Sequence, residues 1–359
     1  MVAHFLILII SCFCIYYADR YKDSFLGTIN LMIVCGVLII FGGLRDKSVG
    51  TDSGNYVRIY KSYKNLEFFK FPKTTIERGF VILQKIGHLI SDKYVTIFML
   101  VAIVNVAIYM LIIRKFSYHY LISVIVFITL GTYSTYFNAA RQSLAISIFA
   151  LSLYYVYHKK ILPFLILVCI GFFFHQSIII LLPFYFLINI KYDLKKFIAI
   201  LIGSSVLFVL AGKYLLAIDN SDFNRYTVYV NRGATGGYLL CLFYTVISAF
   251  FIYIREDMVK NKFPALKEFE FYLKLCLFST IIYIIVVITG SDVNFIRMTV
   301  YFAPGYILIW PLIYLYLKTN KINTGLFVSV FIVMHTLFFY VMLDKMANLV
   351  PYKLNTEIF

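Results

Sequence analysis

The sequence predicts an all-α, polytopic integral membrane protein, and three observations carry that prediction. Of the 359 residues, 62% are hydrophobic and only 14% charged, with a mean hydropathy of +0.87. Soluble domains keep a much larger charged share, so this balance excludes them. Apolar windows long enough to enter a bilayer recur along the whole chain. Lys and Arg collect between those windows, where cytoplasmic turns hold them. The net charge of +16 comes with no nucleic-acid-binding motif, so the cations read as topology signals and contacts for membrane lipid. A single membrane domain over residues 1–359 is expected.

Taken in order, the apolar windows fall near 2–17, 24–44, 94–113, 120–137, 142–157, 161–189, 197–217, 238–254, 271–290, 297–317 and 325–343. The first lacks the basic start of a secretory signal and reads as an uncleaved helix. Residues 45–93 form the one long polar stretch. Its second half, Glu77 to Ile90, has apolar residues at helical spacing and predicts an amphipathic helix lying on the membrane surface. The 161–189 window exceeds one ordinary span. Its centre, Gly171-Phe-Phe-Phe-His175-Gln-Ser177, is polar and Pro183 follows, which predicts two short helices meeting there or a re-entrant pair. The six cysteines lie inside apolar windows without metal spacing and read as small buried hydrophobes.

Charge then orients the chain. The turns at 18–23, 114–119, 158–160, 191–196, 255–270 and 318–323 each carry at least two Lys or Arg. The turns near 138–141, 175–177 and 291–296 carry Arg141 alone. With the basic turns inside, the layout has about twelve membrane passes, both termini outside, and residues 45–93 as an extracytoplasmic loop.

Under that topology the unusual polar residues gather on the outer face. Arg141 and Gln142 are the most informative, because a cation between two apolar segments must snorkel, pair or line a wet cavity. Asp52 and Asn55 sit in a Gly/Ser-rich stretch and read on their own as turn formers. Glu77 reads as the acid that opens a helix, favoured by its dipole. His175 in an apolar window reads as either a satisfied core residue or a site residue. Asn224-Arg225-Tyr226 and Asp292-Val293-Asn294-Phe295-Ile296-Arg297 add further clusters. Their spacing matches no zinc, haem or phosphate-loop pattern.

The order of these pieces resembles the EpsG family. Gly43-Leu-Arg45, Gly50-Thr-Asp52 and Tyr56 come first, then Glu77-x-Gly79-Phe80, Asn138-x2-Arg141-Gln142-x-Leu144-Ala145, and Phe174-His175-x-Ser177. Asn294-x2-Arg297 and Val350-Pro-Tyr-Lys353 are similar to later family segments, and Arg225 aligns less clearly. The resemblance implies a Wzy-type glycosyltransferase of the bacterial inner (plasma) membrane. It would polymerise oligosaccharide repeat units carried on undecaprenyl pyrophosphate into exopolysaccharide, capsule or O-antigen. It would act at the periplasmic or extracellular face, without cofactor or metal. Its partners would be lipid-linked donor and acceptor glycans, with a flippase and a chain-length regulator as protein partners and no nucleic acid. Arg45, Arg141, Arg297 and Arg225 would then hold pyrophosphate, whose oxygens match guanidinium forks. Asn138, Gln142 and Tyr56 would help bind the sugars. His175, Asp52 and Glu77 are the candidate bases for the acceptor hydroxyl. Two rivals stay open: a flippase or transporter of lipid-linked oligosaccharide, and a ligase or single-sugar transferase using a polyprenyl-phosphate donor.

Overall fold

The computed structural model describes residues 1–67, 70–72, 76–189, 194–203, 237–289, 293–345 and 348–355. Among the described residues the chain is helical, and its β pairing is the isolated antiparallel bridge Arg45–Leu354. Seven helices are long and apolar enough to cross a membrane: Val2–Arg20, Phe25–Gly43, Val95–Phe116, Tyr238–Lys260, Leu266–Ile288, Ile296–Thr319 and Thr324–Lys345. Shorter apolar helices lie at Tyr120–Thr129, Ile161–Phe172 and Gln176–Asn189. The predicted all-α class is therefore observed, while the figure of about twelve passes stays a sequence expectation. The chain divides into two compact units, one of residues 1–185 with 317–359 and one of residues 186–316.

In the first unit, α1 (Val2–Arg20) returns through a short turn into α2 (Phe25–Gly43). Ser24 caps α2 by accepting the Gly27 N–H at 3.2 Å. Leu31, Val34, Leu38 and Phe41 of α2 recur at helical spacing and are buried, facing α1 and α5 (Val95–Phe116). Two short helices follow α2 within the polar stretch, α3 (Ser53–Ser62) and α4 (Arg78–Ile90). Helix α4 is amphipathic as predicted: Phe80, Val81, Gln84, Lys85 and Gly87 are buried, while Ile82, Ile86, Leu89 and Ile90 form an exposed apolar stripe. Lys85 donates to the carbonyls of Glu67 (3.0 Å) and Lys70 (2.7 Å). His88 stacks on Tyr60 at 4.0 Å and bonds to the Tyr60 carbonyl at 2.8 Å, locking α4 to α3.

The predicted window 120–137 is broken. Helix α6 (Tyr120–Thr129) stops before Gly131, whose φ of 80° suits glycine. Thr132 and Ser134 then begin a turn leading into the single turn α7 (Thr135–Asn138). Helix α8 (Ala140–Tyr157) follows and is buried along most of its length. Ser147 of α8 donates to Asn105 of α5 at 2.6 Å inside the bundle. The predicted break in 161–189 is present: α9 (Ile161–Phe172) ends at a tight turn, and a 3₁₀ segment (Gln176–Leu181) leads into α10 (Leu182–Asn189).

In the second unit, Tyr238–Lys260 packs on Leu266–Thr289, which packs on the 3₁₀ segment Val293–Phe302. Buried hydroxyls join these elements: Ser248 to Thr280 at 2.7 Å, Thr280 to Tyr306 at 3.0 Å, and Thr299 to Tyr283 at 3.0 Å. Of the 197–217 window, residues 197–203 are helical and 204–217 lie outside the described residues.

Candidate functional site

The first unit gathers Arg141, Glu77 and His175 from three separate elements. Glu77 is the N-cap of α4. Its Oε2 accepts from Arg141 Nη1 at 2.6 Å, and its Oε1 lies 2.8 Å from His175 Nδ1. One carboxylate therefore spans a guanidinium and an imidazole. The Glu77 side chain is 8% exposed, whereas those of Arg141 and His175 are 28% and 29% exposed. The acid is buried beneath two groups that both reach the surface.

Gly79 makes this approach possible. Its N–H donates to the Phe173 carbonyl at 2.8 Å, and a Cβ at that position would lie 2.6 Å from the same oxygen. The first turn of α4 thus rests directly on the backbone just before His175. Phe80, fully buried, packs edge-on against Tyr56 of α3 at 5.7 Å. We expect Gly79→Ala to reduce output about 10–100-fold at normal protein level, since misplacement by about 1 Å has that order of cost. Activity normalised to membrane-embedded protein is the measure.

Arg141 sits in the first turn of α8, whose N-terminus has no side-chain cap. A cation there opposes the helix dipole, so its position depends on Glu77 rather than on the helix. The Tyr56 hydroxyl lies against the Ala140 backbone and the Arg141 side chain. Burial and the nearby Asp52 charge raise the Tyr56 pKa, keeping it protonated. Asp52 opens α3, and its carbonyl accepts the Tyr56 N–H at 3.1 Å. Asn138 is engaged within the protein: its Oδ1 accepts from Thr51 N–H at 2.6 Å and Thr51 Oγ1 at 3.1 Å. Ser53 Oγ donates to the Phe137 carbonyl at 3.0 Å. The Gly50-Thr-Asp52 turn and the Asn138-x2-Arg141 turn are therefore one fastened structure.

The other sequence candidates are placed differently. Gln142 is buried behind Arg141. Arg45 is fully buried and donates to the Gly42 carbonyl. Its guanidinium lies 4.0 Å from the Phe98 ring centroid and 4.5 Å from that of Phe137. It is enclosed by aromatic rings and presents no surface to a ligand. Arg297 is exposed in the second unit, on the segment Val293–Phe302. Arg225 lies outside the described residues. Among the described residues no three His, Cys, Asp or Glu side chains gather as a metal site. Sequence reading gave no role to Gly79, Thr51 or Lys85. A glycine in the first turn of a helix, where propensity disfavours it, was the available signal for Gly79.

Electrostatics make the Glu77 charge dependable. Burial pushes its pKa up, but the His175 hydrogen bond and the Arg141 charge outweigh burial, and the net shift is downward. A carboxylate with a lowered folded pKa contributes stability that is present above its unfolded value near ~4.3. That contribution is lost as pH falls through the lower folded value. The expected result is that purified protein keeps its thermal-stability advantage over Glu77→Gln through mild acid and loses it only below about pH 4.

The sequence model of the EpsG family matches residues 28–354. The chain belongs to the EpsG family. The match spans Arg45, the 45–93 stretch, the Arg141–Glu77–His175 cluster and the C-terminal Val350-Pro-Tyr-Lys353. Family membership and the apolar helices together make this a membrane protein of polysaccharide biosynthesis. Among curated proteins and among solved structures, none matches the chain.

Proposed function

We propose that this EpsG-family protein is a membrane polymerase of lipid-linked oligosaccharide repeat units. The observation that carries the reading is the shared carboxylate of Glu77, which holds a phosphate-type cation and a base-type imidazole side by side. The donor is a glycan on undecaprenyl pyrophosphate. Arg141 and the uncapped N-terminus of α8 form an electropositive point suited to that pyrophosphate. Arg297, with Arg225, is a further candidate for the lipid-linked substrate. His175 donates Nδ1–H to Glu77, which leaves the Nε2 lone pair to accept a proton.

In the proposed step, Nε2 of His175 takes the acceptor hydroxyl proton as that oxygen attacks the anomeric carbon. The bond from that carbon to the pyrophosphate oxygen breaks, and its electron pair leaves with the lipid pyrophosphate. Arg141 stabilises the charge that develops on the leaving oxygen. A single displacement of this kind inverts the anomeric centre. Glu77, ionised and engaged through both oxygens, orients the imidazole and the guanidinium instead of serving as the base. Asp52 lies beside Tyr56 and suits sugar binding at the rim.

The test is purified protein in proteoliposomes with one defined lipid-linked repeat unit. A ladder of products supports polymerisation. A single addition would support the transferase reading, and translocation without new bonds the transporter reading. Orientation has its own test in single-cysteine variants on a cysteine-free background. Lys47→Cys and Gln176→Cys, both exposed, are expected to react with a membrane-impermeant thiol reagent from outside. Tyr118→Cys and Asn320→Cys, also exposed positions, are expected to react only from the cytoplasm. Labelling of Tyr118→Cys from outside would turn the site to the wrong face.

A further inference from the structure

The C-terminal stretch 348–355 lies along the start of the polar loop. Asp46 N–H donates to the Lys353 carbonyl at 2.8 Å, Asn355 N–H to the Leu44 carbonyl at 2.9 Å, and Gly50 N–H to the Asn348 carbonyl at 2.9 Å. Arg45 and Leu354 form the antiparallel bridge between them. Tyr352 adds a side-chain anchor: its ring stacks on Phe41 at 4.0 Å with the planes 9° apart, and its hydroxyl donates to the Phe41 carbonyl at 2.7 Å. His4 closes the stack edge-on, 5.1 Å from Phe41 and 5.8 Å from Tyr352.

The stretch held in this way leads directly to the site. Arg45 spans from the Gly42 carbonyl to the ring of Phe137, one residue before Asn138. Asn138 in turn receives Thr51, and Arg141 follows three residues later. Residues 44–52 have no helix or sheet of their own. The amides of Asp46 and Gly50 find their acceptors on the C-terminal stretch, and a buried amide without an acceptor is unfavourable. Gly50 has a φ of 98°, and a Cβ there would lie 2.5 Å from the Phe137 carbonyl. The fit between this turn and residues 136–138 therefore has little slack.

We propose that residues 348–355 are a clasp that positions the Arg141–Glu77–His175 cluster from more than 170 residues away in sequence. Tyr352 is its positioning residue, and Arg45 is the buried link between clasp and site instead of a phosphate contact. The activity part of this inference rests on the proposed polymerase reading; the structural part does not.

The experiment uses full-length protein and two readouts. The first is kinetics with lipid-linked repeat units. Tyr352→Phe keeps the ring stack and is expected to stay within about threefold of the parent, while Tyr352→Ala is expected to lose at least about tenfold in kcat with KM for the donor little changed. A residue contacting donor phosphate would raise KM instead, and that outcome for Arg45→Gln would overturn its assignment. The second readout is independent of activity. Val49 is fully buried in the clasped turn. Val49→Cys on a cysteine-free background is expected to resist a thiol reagent and to become reactive when Tyr352→Ala is added. Unchanged protection overturns the clasp whatever the activity, and opened labelling with parental kcat overturns its role in positioning. If Tyr352→Ala does not accumulate, Tyr352→Leu is judged by the same two readouts. If the parent makes no polymer, the polymerase reading fails while Val49→Cys still reports on the clasp.

Discussion

His175→Ala is expected to lower turnover about 10²–10⁴-fold, the usual scale for removing a general base, with binding of the lipid-linked donor retained. Three candidate bases were legible in the sequence, and the proposal of His175 among them rests on geometry. Glu77 has both oxygens committed, to Arg141 at 2.6 Å and to His175 at 2.8 Å. Its pKa is lowered despite burial, which makes it a weak acceptor of a further proton. Asp52 lies next to Tyr56 at the start of α3, whereas the Glu77 carboxylate engages Arg141 and His175. Only the imidazole combines partial exposure with a second nitrogen not turned toward Glu77. Glu77→Gln should retain part of the rate, because an amide can still accept the Nδ1 hydrogen bond. Near-normal turnover in purified His175→Ala, with Asp52→Asn inactive, would transfer the role to Asp52.

How much of this could be read beforehand follows from what kind of information each feature needs. The helical class came from apolar run length, and α4 from apolar residues at helical spacing between Glu77 and Ile90, while which of them are buried was not legible. The break at His175 was visible because a polar triplet cannot sit quietly within an apolar window of that length. The break after Thr129 was missed, because Gly131, Thr132 and Ser134 are mild enough to be averaged away by the apolar residues around them. For the site, the ordered motifs identified Arg141, Glu77 and His175 without showing that they touch. Their contact depends on Gly79 resting on the Phe173 carbonyl, a pairing across 94 residues for which no local pattern exists. Arg45 shows the opposite failure. A motif arginine beside a polar loop reads as a ligand contact, and only the positions of Phe98 and Phe137 show that aromatic rings surround it. Asn138 likewise reads as a sugar contact from its motif, while its Oδ1 holds Thr51.

Arg141→Lys is expected to lose about 10–100-fold in activity although the charge is kept, and the structure gives two reasons. The guanidinium is shared: Nη1 meets Glu77, and the side chain also bonds to the Tyr56 hydroxyl. An ammonium on a flexible stem can meet one of these partners but cannot hold a planar fork between them and a phosphate. One charge-assisted hydrogen bond is worth about 1.5–3 kcal/mol, which corresponds to the expected loss. The alternative is that Arg141 merely snorkels at a membrane boundary. That reading is at odds with its place in the first turn of α8, where the helix dipole disfavours a cation and Glu77 must offset it. A double-mutant cycle with Glu77→Gln resolves what remains. If Arg141 acts through the cluster, the two losses should be far from additive, since either change frees the same carboxylate contact. Stability should show the same coupling once the charge itself is removed, with Glu77→Gln alone costing more than Glu77→Gln combined with Arg141→Gln, because the single change leaves a half-buried guanidinium without its counter-charge. Polymer ladders from Arg141→Lys at the parental rate, at equal protein level, would reduce Arg141 to an anchor and leave the proposed pyrophosphate contact without its main residue.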